Sequence, residues 1–167
     1  MRGQWGRLCM LVARDTAILG LTLWVWQGSL ATPDAWMPAI AAALLTAISG
    51  YVLHEWGHLL GALYKRCVFE LPATPFETFF LFRFKRDQNT RPQFFGMALG
   101  GFISSIITVI ALVVILPWGP LATTLALTLT GLGVIATLII EVPEFLRVWR
   151  GGPIPAGAAF IKEKPPQ

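Results

Sequence analysis

Two long stretches of this sequence contain no lysine and no arginine, and they constrain the fold more than any other feature. One stretch runs from Asp15 to Tyr64 and the other from Pro92 to Leu146. Both are dominated by apolar residues, which make up 55% of the whole chain. A run of ~20 apolar residues is long enough to cross the hydrocarbon core of a bilayer as a helix. The sequence therefore excludes a soluble domain and predicts an α-helical membrane protein.

Each stretch is long enough for two spans, because proline-containing turns at residues 31–34 and 117–120 divide it. We expect one transmembrane domain over residues 1–150, built from four helices. Their expected ranges are about residues 16–30, 36–64, 94–118 and 121–146. The remainder, residues 151–167, contains four prolines and three glycines and is typical of a flexible cytosolic tail.

The first span has a second interpretation as a secretory signal peptide. Residues 29–31, Ser-Leu-Ala, resemble the small-x-small pattern of a cleavage site. Two tryptophans and Gln27 inside the apolar run argue against cleavage. We expect the first helix to remain uncut, and the topology downstream is the same in both cases.

The basic residues indicate the orientation of the helices. All thirteen lie in three blocks, residues 2–14, 65–91 and 147–164, and the two turns carry none. Because lysine and arginine accumulate on the cytoplasmic side of a membrane, we expect both termini inside. The chain is then a multi-pass integral membrane protein, which we place in a bacterial cytoplasmic membrane in contact with anionic lipid. No basic patch is interleaved with exposed aromatic residues, so we expect no nucleic-acid partner.

The connection between the second and third spans predicts a small cytosolic-side β-hairpin over residues 67–86. Aromatic and polar side chains alternate there, which is the period of a strand. The two faces are Phe80, Phe82 and Phe84 on one side and Glu77, Arg83 and Lys85 on the other. The edge of the hairpin either receives an extended peptide, with Phe82 as a substrate contact, or serves only as a clamp for the helices.

The second span contains the motif His-Glu-Trp-Gly-His at residues 54–58, with the only two histidines of the chain. Positions i and i+4 share one face of a helix, so His54 and His58 can bind the same metal ion. Glu55 lies between them, beside the open position of that metal, where it can act as the general base for an attacking water. Counting back from Lys65 places the motif roughly 10 to 16 Å below the membrane surface. The pattern predicts a zinc site inside the bilayer, near the cytosolic side.

A catalytic zinc ion needs three protein ligands and one open position. The fourth span returns to the cytosolic side with Glu141 and Glu144 at its end, and either can complete the site. The alternative is that these glutamates pair with Arg147 or cap the span. Pro143 between them predicts a break or kink of the helix, which would free backbone groups there.

Four other side chains are weaker candidates. Ser104 and Ser105 in the third span can hydrogen-bond a substrate or an oxyanion, or they can simply pack helix against helix. Cys9 and Cys67 have no paired spacing, so we expect reduced thiols without a role. The alternative for Cys67 is an additional metal ligand.

The motif at residues 54–58 resembles that of the intramembrane site-2 proteases, a family of zinc metalloproteases, including the glycine before the second histidine. Residues 99–105, Leu-Gly-Gly-Phe-Ile-Ser-Ser, are similar to the family's Gly-Pro-x-x-Asn/Ser segment, with glycine in place of proline. Residues 142–147, Val-Pro-Glu-Phe-Leu-Arg, occupy the place of the family's Leu-Asp-Gly stretch. The resemblance covers residues 36–150 without a PDZ-like insert, and it assigns the third ligand to Glu144, with Glu141 as the alternative.

The resemblance implies a zinc endopeptidase that hydrolyses a peptide bond within or near a transmembrane segment of another membrane protein. Glu55 would take a proton from water and pass it to the leaving amine. The altered third-ligand segment favours a second expectation, an inactive relative that acts as a membrane-protein adaptor or chaperone. A small metal-handling or transport protein is the third, and it is disfavoured because a single polar site lines the spans.

Overall fold

The computed structural model describes residues 2–77 and 80–155, with side chains from residue 4 onward. Its four long helices are each apolar enough to cross a membrane. They are α1 (Arg2–Ala31), α2 (Trp36–Tyr64), α3 (Arg91–Ile115) and α4 (Leu121–Trp149). A two-stranded antiparallel sheet, β1 (Phe69–Glu70) and β2 (Arg83–Phe84), lies between α2 and α3. The prediction of four apolar helices with a small hairpin between the second and third is confirmed.

Helix α2 is the centre of the bundle, and it packs against α3 most extensively, then against α4 and α1. The contact with α3 is close because glycines face one another there. A Cβ atom at Gly57 would lie 2.5 Å from the carbonyl oxygen of Gly100, and one at Gly61 would lie 2.3 Å from that of Gly96. Small residues at such positions let two helix backbones approach closely. The approach brings the backbone of α3 to the motif on α2.

Helix α1 begins at Arg2, well before the expected start at residue 16, because its first half packs under the hairpin. Leu11 is fully buried in a cluster with residues of the hairpin and of α2. Two arginines of this half donate to backbone carbonyls of the following loop. Arg7 Nη1 bonds to Leu71 O at 2.8 Å, and Arg14 Nη1 bonds to Pro75 O at 2.6 Å. These contacts keep the basic segment helical and hold the loop against the bundle.

The strands of the hairpin are shorter than the alternation predicts. Each has two residues, with Phe69 opposite Phe84 and Glu70 opposite Arg83. Lys85 donates to Glu70 at 2.5 Å, and this hydrogen bond lowers the pKa of the Glu70 carboxyl. Side-chain hydrogen bonds, among them the two from α1, rather than a longer ladder, hold the rest of the connection. Residues 78 and 79 of the expected strand lie outside the described residues, as does the expected tail beyond residue 155.

Helix α4 continues to Trp149 and includes Pro143, so the expected break at this proline does not occur. Proline removes one backbone donor and disfavours a helix interior, but tertiary contacts can maintain the helix around it. Here the end of α4 packs on α3 through aromatic rings, among them Phe95 with Phe145 at 5.0 Å between centroids. A hydrogen bond from Arg91 to Gly151 O joins the start of α3 to the chain just after α4. The end of α4 therefore stays helical.

Candidate metal centre

Two histidines of α2 and one glutamate of α4 converge in the middle of the bundle. The Nε2 atoms of His54 and His58 are 3.0 Å apart. His54 Nε2 lies 3.2 Å from one carboxylate oxygen of Glu141, and His58 Nε2 lies 3.4 Å from the other. These three side chains could hold a metal ion.

The spacing and the chemistry of this group fit a small divalent cation. Tetrahedral zinc binds nitrogen and oxygen ligands at ~2.0–2.2 Å, which places neighbouring ligand atoms ~3.3 Å from one another. The three separations, 3.0, 3.2 and 3.4 Å, lie on both sides of that value. Two imidazoles and a carboxylate form a ligand set that zinc accepts, and three ligands leave a fourth tetrahedral position free. The residues therefore fit the group that the motif predicts.

Helix α3 orients both imidazole rings through their other nitrogens. His54 Nδ1 is 3.1 Å from the carbonyl oxygen of Gly101 and 2.9 Å from the hydroxyl of Ser105, and His58 Nδ1 is 3.0 Å from the carbonyl of Met97. A carbonyl oxygen only accepts, so each Nδ1 donates and each Nε2 keeps its lone pair for the centre. Sequence reasoning missed the carbonyls of Met97 and Gly101. The signal was their spacing, since residues 97, 101 and 105 lie on one face of a helix.

The structure separates the two glutamates that the sequence offers as a third ligand. Glu141 faces the histidines, whereas Glu144 forms an ion pair with Arg147, with 3.0 Å between Arg147 Nε and Glu144 Oε2. Because α4 stays helical through Pro143, Glu144 lies almost one turn, ~4.5 Å along the axis, beyond Glu141. The assignment of Glu144 is therefore corrected, and the alternative, Glu141, is the residue that reaches the histidines.

Glu55 is buried next to the metal centre, within electrostatic range of both histidines. Its Oε2 atom accepts a hydrogen bond from the backbone N–H of Leu81 at 3.0 Å. Tyr51, one helical turn earlier, lies within electrostatic range of the same carboxylate. Leu81 itself is 1% exposed, in the cluster beneath the hairpin. The loop before β2 thus holds the side chain that the sequence predicts as the general base.

The two residues predicted to contact a substrate, Ser104 and Phe82, both have structural contacts within the bundle. The hydroxyl of Ser104 donates to the carbonyl of Leu53 at 2.7 Å, and its Cβ lies beside Gly57, where α2 and α3 are closest. Phe82 is 9% exposed and packs edge-to-face on Phe69, with 5.4 Å between ring centroids. Ser104 therefore joins two helices, and Phe82 belongs to the core under the hairpin.

Neither cysteine belongs to the group of side chains that could hold a metal among the described residues. Both are free thiols, with Cys9 exposed and Cys67 buried. The Cys67 thiol donates to the carbonyl of Gln93 at 3.6 Å, and burial raises its pKa. A raised pKa opposes the thiolate form that a metal ligand needs.

The fold and the site together define a helical membrane protein of the multi-pass class, with a candidate metal centre between its helices. No protein-family model matches the chain, and no curated protein or solved structure is significantly similar to it. The functional conclusion therefore depends on the site itself.

Proposed function

We propose that this protein is an intramembrane endopeptidase that uses zinc to hydrolyse a peptide bond in a transmembrane segment of another membrane protein. The observation that carries the proposal is the convergence of His54, His58 and Glu141, with Glu55 beside them. Ionisable side chains inside a membrane are costly and generally serve a function. Four such side chains at one place in an apolar bundle support a catalytic centre.

The ligand set supports zinc in a catalytic rather than a structural site. Structural zinc sites have four protein ligands, whereas catalytic ones have three and an open position. The group here provides three, His54, His58 and Glu141. Zinc bound there would make water more acidic and would polarise the scissile carbonyl.

Glu55 provides the proton transfers that peptide hydrolysis requires. As water attacks the carbonyl carbon, a new C–O bond forms, and the carboxylate takes the proton that water loses. When the C–N bond breaks, the same residue returns this proton to the leaving amine. A carboxylate has about four acceptor sites, so the bond from Leu81 leaves room for a water molecule.

The surroundings of the site suit hydrolysis inside a membrane. The carbonyls of Met97 and Gly101 keep both imidazoles in the orientation that directs Nε2 to the centre. His54 and Glu55 are buried between the helices, so a polar centre and the water it needs can exist at membrane depth. A helical substrate hides its peptide carbonyls, so it has to be extended locally before Glu55 can act.

The first test measures metal in the purified protein. The parent protein is expected to bind one zinc ion per chain, and Glu141→Ala is expected to bind zinc at least ~100-fold more weakly, because a direct ligand matters more than an outer-shell partner. Glu144→Ala is the matched control, since it removes a carboxylate three residues away that pairs with Arg147. A parent protein without stoichiometric metal would refute the proposal, and so would an equal loss in both variants.

The same protein preparations then test hydrolysis. Synthetic transmembrane peptides are reconstituted with the protein in liposomes, and cleavage products are identified by mass spectrometry. Glu55→Gln is expected to keep its zinc and to cleave at least ~100-fold more slowly, the usual cost of removing a general base. If Glu55→Gln cleaves as fast as the parent, the enzymatic proposal fails. Zinc binding without any cleavage by the parent would instead favour an adaptor that binds membrane-protein segments.

A further inference from the structure

A cavity of about 70 Å³ adjoins the metal centre between α2, α3 and α4. It lies beside His54, on the side of the centre away from the hairpin, because its other lining residues precede the motif on α2 and Glu141 on α4. The lining includes five hydroxyl-bearing side chains, Tyr51, Ser105, Thr108, Thr130 and Thr137. One water molecule needs ~10–15 Å³ of such space, so the cavity has room for several.

The hydroxyl group of Thr130 indicates what kind of molecule the cavity can bind. Its side chain is 5% exposed, and its Oγ1 atom has no hydrogen-bond partner among the described residues. Threonines in helices commonly bond to the carbonyl four residues before them, as Thr46 and Thr137 do here. A buried hydroxyl without a partner costs ~1–3 kcal/mol, so a molecule that donates or accepts a hydrogen bond would be favoured beside it.

The methyl group of Thr130 contacts α2. This Cγ2 methyl packs against α2 at Gly50, where an added Cβ would lie only 3.3 Å from it. Thr108 of α3 lies on the same glycine, with its Cγ2 3.8 Å from that position. Gly50 therefore leaves space at the point where the three helices meet.

The cavity connects to the catalytic groups through two of its hydroxyls. Ser105 Oγ lies 2.9 Å from His54 Nδ1, and Tyr51 lies one helical turn from Glu55, within electrostatic range of its carboxylate. Water in the cavity would thus lie beside the metal ligand His54 and one side chain away from the general base. Two lining residues, Tyr51 and Gly133, are exposed, so the cavity also reaches the surface of the bundle.

We propose that this cavity is a water-binding site within the membrane, with the Thr130 hydroxyl as its buried anchor. The volume of the cavity, and a Thr130 hydroxyl without a partner among the described residues, support its occupancy by water. Its role as the source of water for hydrolysis rests on the proposed function. The competing occupant is a lipid acyl chain that enters beside Gly133.

Magic-angle-spinning NMR of the full chain in bilayers distinguishes these occupants. With threonine labelled by ¹³C, magnetisation is transferred either from water protons or from lipid methylene protons. The Thr130 and Thr108 signals are expected to grow from water several-fold faster than those of two controls. The controls are Thr128, which is exposed on the same helix, and Thr46, which is buried with its hydroxyl bonded to Trp26 and Ala42. Transfer from lipid to Thr130 as fast as to Thr128 would overturn the proposal.

Thr130→Val tests the anchor, because valine keeps the shape of threonine and removes the hydroxyl. Transfer from water to Thr108 is expected to fall several-fold in this variant and to be unchanged in Thr128→Val. An unchanged transfer in Thr130→Val would overturn the role of Thr130, and the parent spectrum tests the cavity even if that variant fails to fold. The readout does not depend on cleavage. If no water transfer reaches the cavity but cleavage depends on Glu55, this inference alone is refuted. If water transfer reaches the cavity but the protein binds no zinc, the proposed function alone is refuted.

Discussion

Gly101 shows how a single residue without a side chain can determine the geometry of the candidate metal centre. Its carbonyl oxygen accepts from His54, and its Cα lies directly against the ring of His58. A Cβ at this position would lie 2.3 Å from His58 Cε1 and 2.4 Å from Nε2, which is far inside van der Waals contact. A glycine is therefore required here by the imidazole ring, not by a turn of the backbone.

We predict that Gly101→Ala weakens zinc binding by at least ~10-fold, the scale of losing an outer-shell contact, because the His58 ring has to move away from the centre. Zinc affinity is measured by competition with a chelator of known affinity. Gly131→Ala on α4 is the control, since an added Cβ there meets no atom within 4 Å. Equal zinc affinities in the two variants would contradict the packing described for Gly101.

The histidine motif could be recognised from the sequence alone. The choice between the two glutamates required knowing which side of α4 faces the histidines. The pair of histidines has a fixed spacing within one helix, so local geometry was sufficient. Glu141 continues a stripe that runs from Thr130 through Thr137 and faces α2, and Glu144 lies off that stripe beside Arg147. Pro143 obscured the orientation of these side chains, because it predicted a break or kink of the helix where the two glutamates lie. Whether a proline breaks a helix depends on tertiary contacts that the sequence does not display.

At the scale of whole elements, α1 is tied to α2 by polar contacts at three levels. Thr22 and Ser49 share a hydrogen bond of 2.8 Å, and Trp26 donates to Thr46 at 2.7 Å. The third contact reaches the metal-binding motif itself. The indole of Trp56, next to Glu55, donates to the buried carboxylate of Asp15 at 2.8 Å, and Arg14 completes the partners of that carboxylate at 2.7 Å. Interhelical hydrogen bonds of this kind stabilise helix association in membranes.

We predict that Trp56→Phe lowers the free energy of unfolding by ~1–3 kcal/mol, because it leaves the buried Asp15 carboxylate without one donor. Unfolding is measured by titration with SDS in mixed micelles. Trp24→Phe is the control, since Trp24 lies on α1 with 69% of its side chain exposed. Zinc content should stay at the parental level in both variants. A loss no larger than that of the control would mean that this contact contributes little.

The helices could be predicted more completely than the hairpin, and the reason is physical. Four apolar runs of the right length define four helices because their backbone hydrogen bonds are local. The hairpin was predicted from alternation, but its position depends on Arg7 and Arg14, which are more than 60 residues away from their acceptors. The same two contacts extend α1 beyond the apolar run. In the sequence, Arg7 and Arg14 indicate the end of a membrane span, but in the structure they bind the backbone of a loop that is distant in sequence.

For the molecule as a whole, the two ends of the bundle differ in their content of basic residues. One end carries the hairpin, the start of α3 and the end of α4, and a hydrogen bond from Arg91 to Gly151 O joins the last two. The basic residues of the described chain belong to this hairpin end. The opposite end has two short turns, at residues 32–35 and 116–120, with the exposed tryptophans Trp36 and Trp118. Tryptophan at such positions is typical of a membrane–water interface.

This asymmetry predicts the side of the membrane from which the proposed enzyme works. If basic residues stay on the cytoplasmic side, then the hairpin end faces the cytosol, and the metal centre lies in the cytosolic half of the membrane. Two single cysteines test this in a protein whose native thiols are replaced by alanine. Asp87→Cys marks the hairpin end, where the Asp87 side chain is 87% exposed, and Trp118→Cys marks the opposite end. Zinc content checks that both variants keep the native centre.

A membrane-impermeant maleimide is expected to label Asp87→Cys only in inverted vesicles and Trp118→Cys only in intact spheroplasts of a bacterial host. The exchange of these two results would reverse the orientation and would place the metal centre near the outer face. Such a reversal would leave the proposed chemistry unchanged, because the ligands and Glu55 belong to the bundle rather than to either surface. Labelling of both variants from the same side would be a more serious contradiction. It would mean that α3 does not cross the membrane, and a buried centre supported by the α3 backbone could then not lie within it.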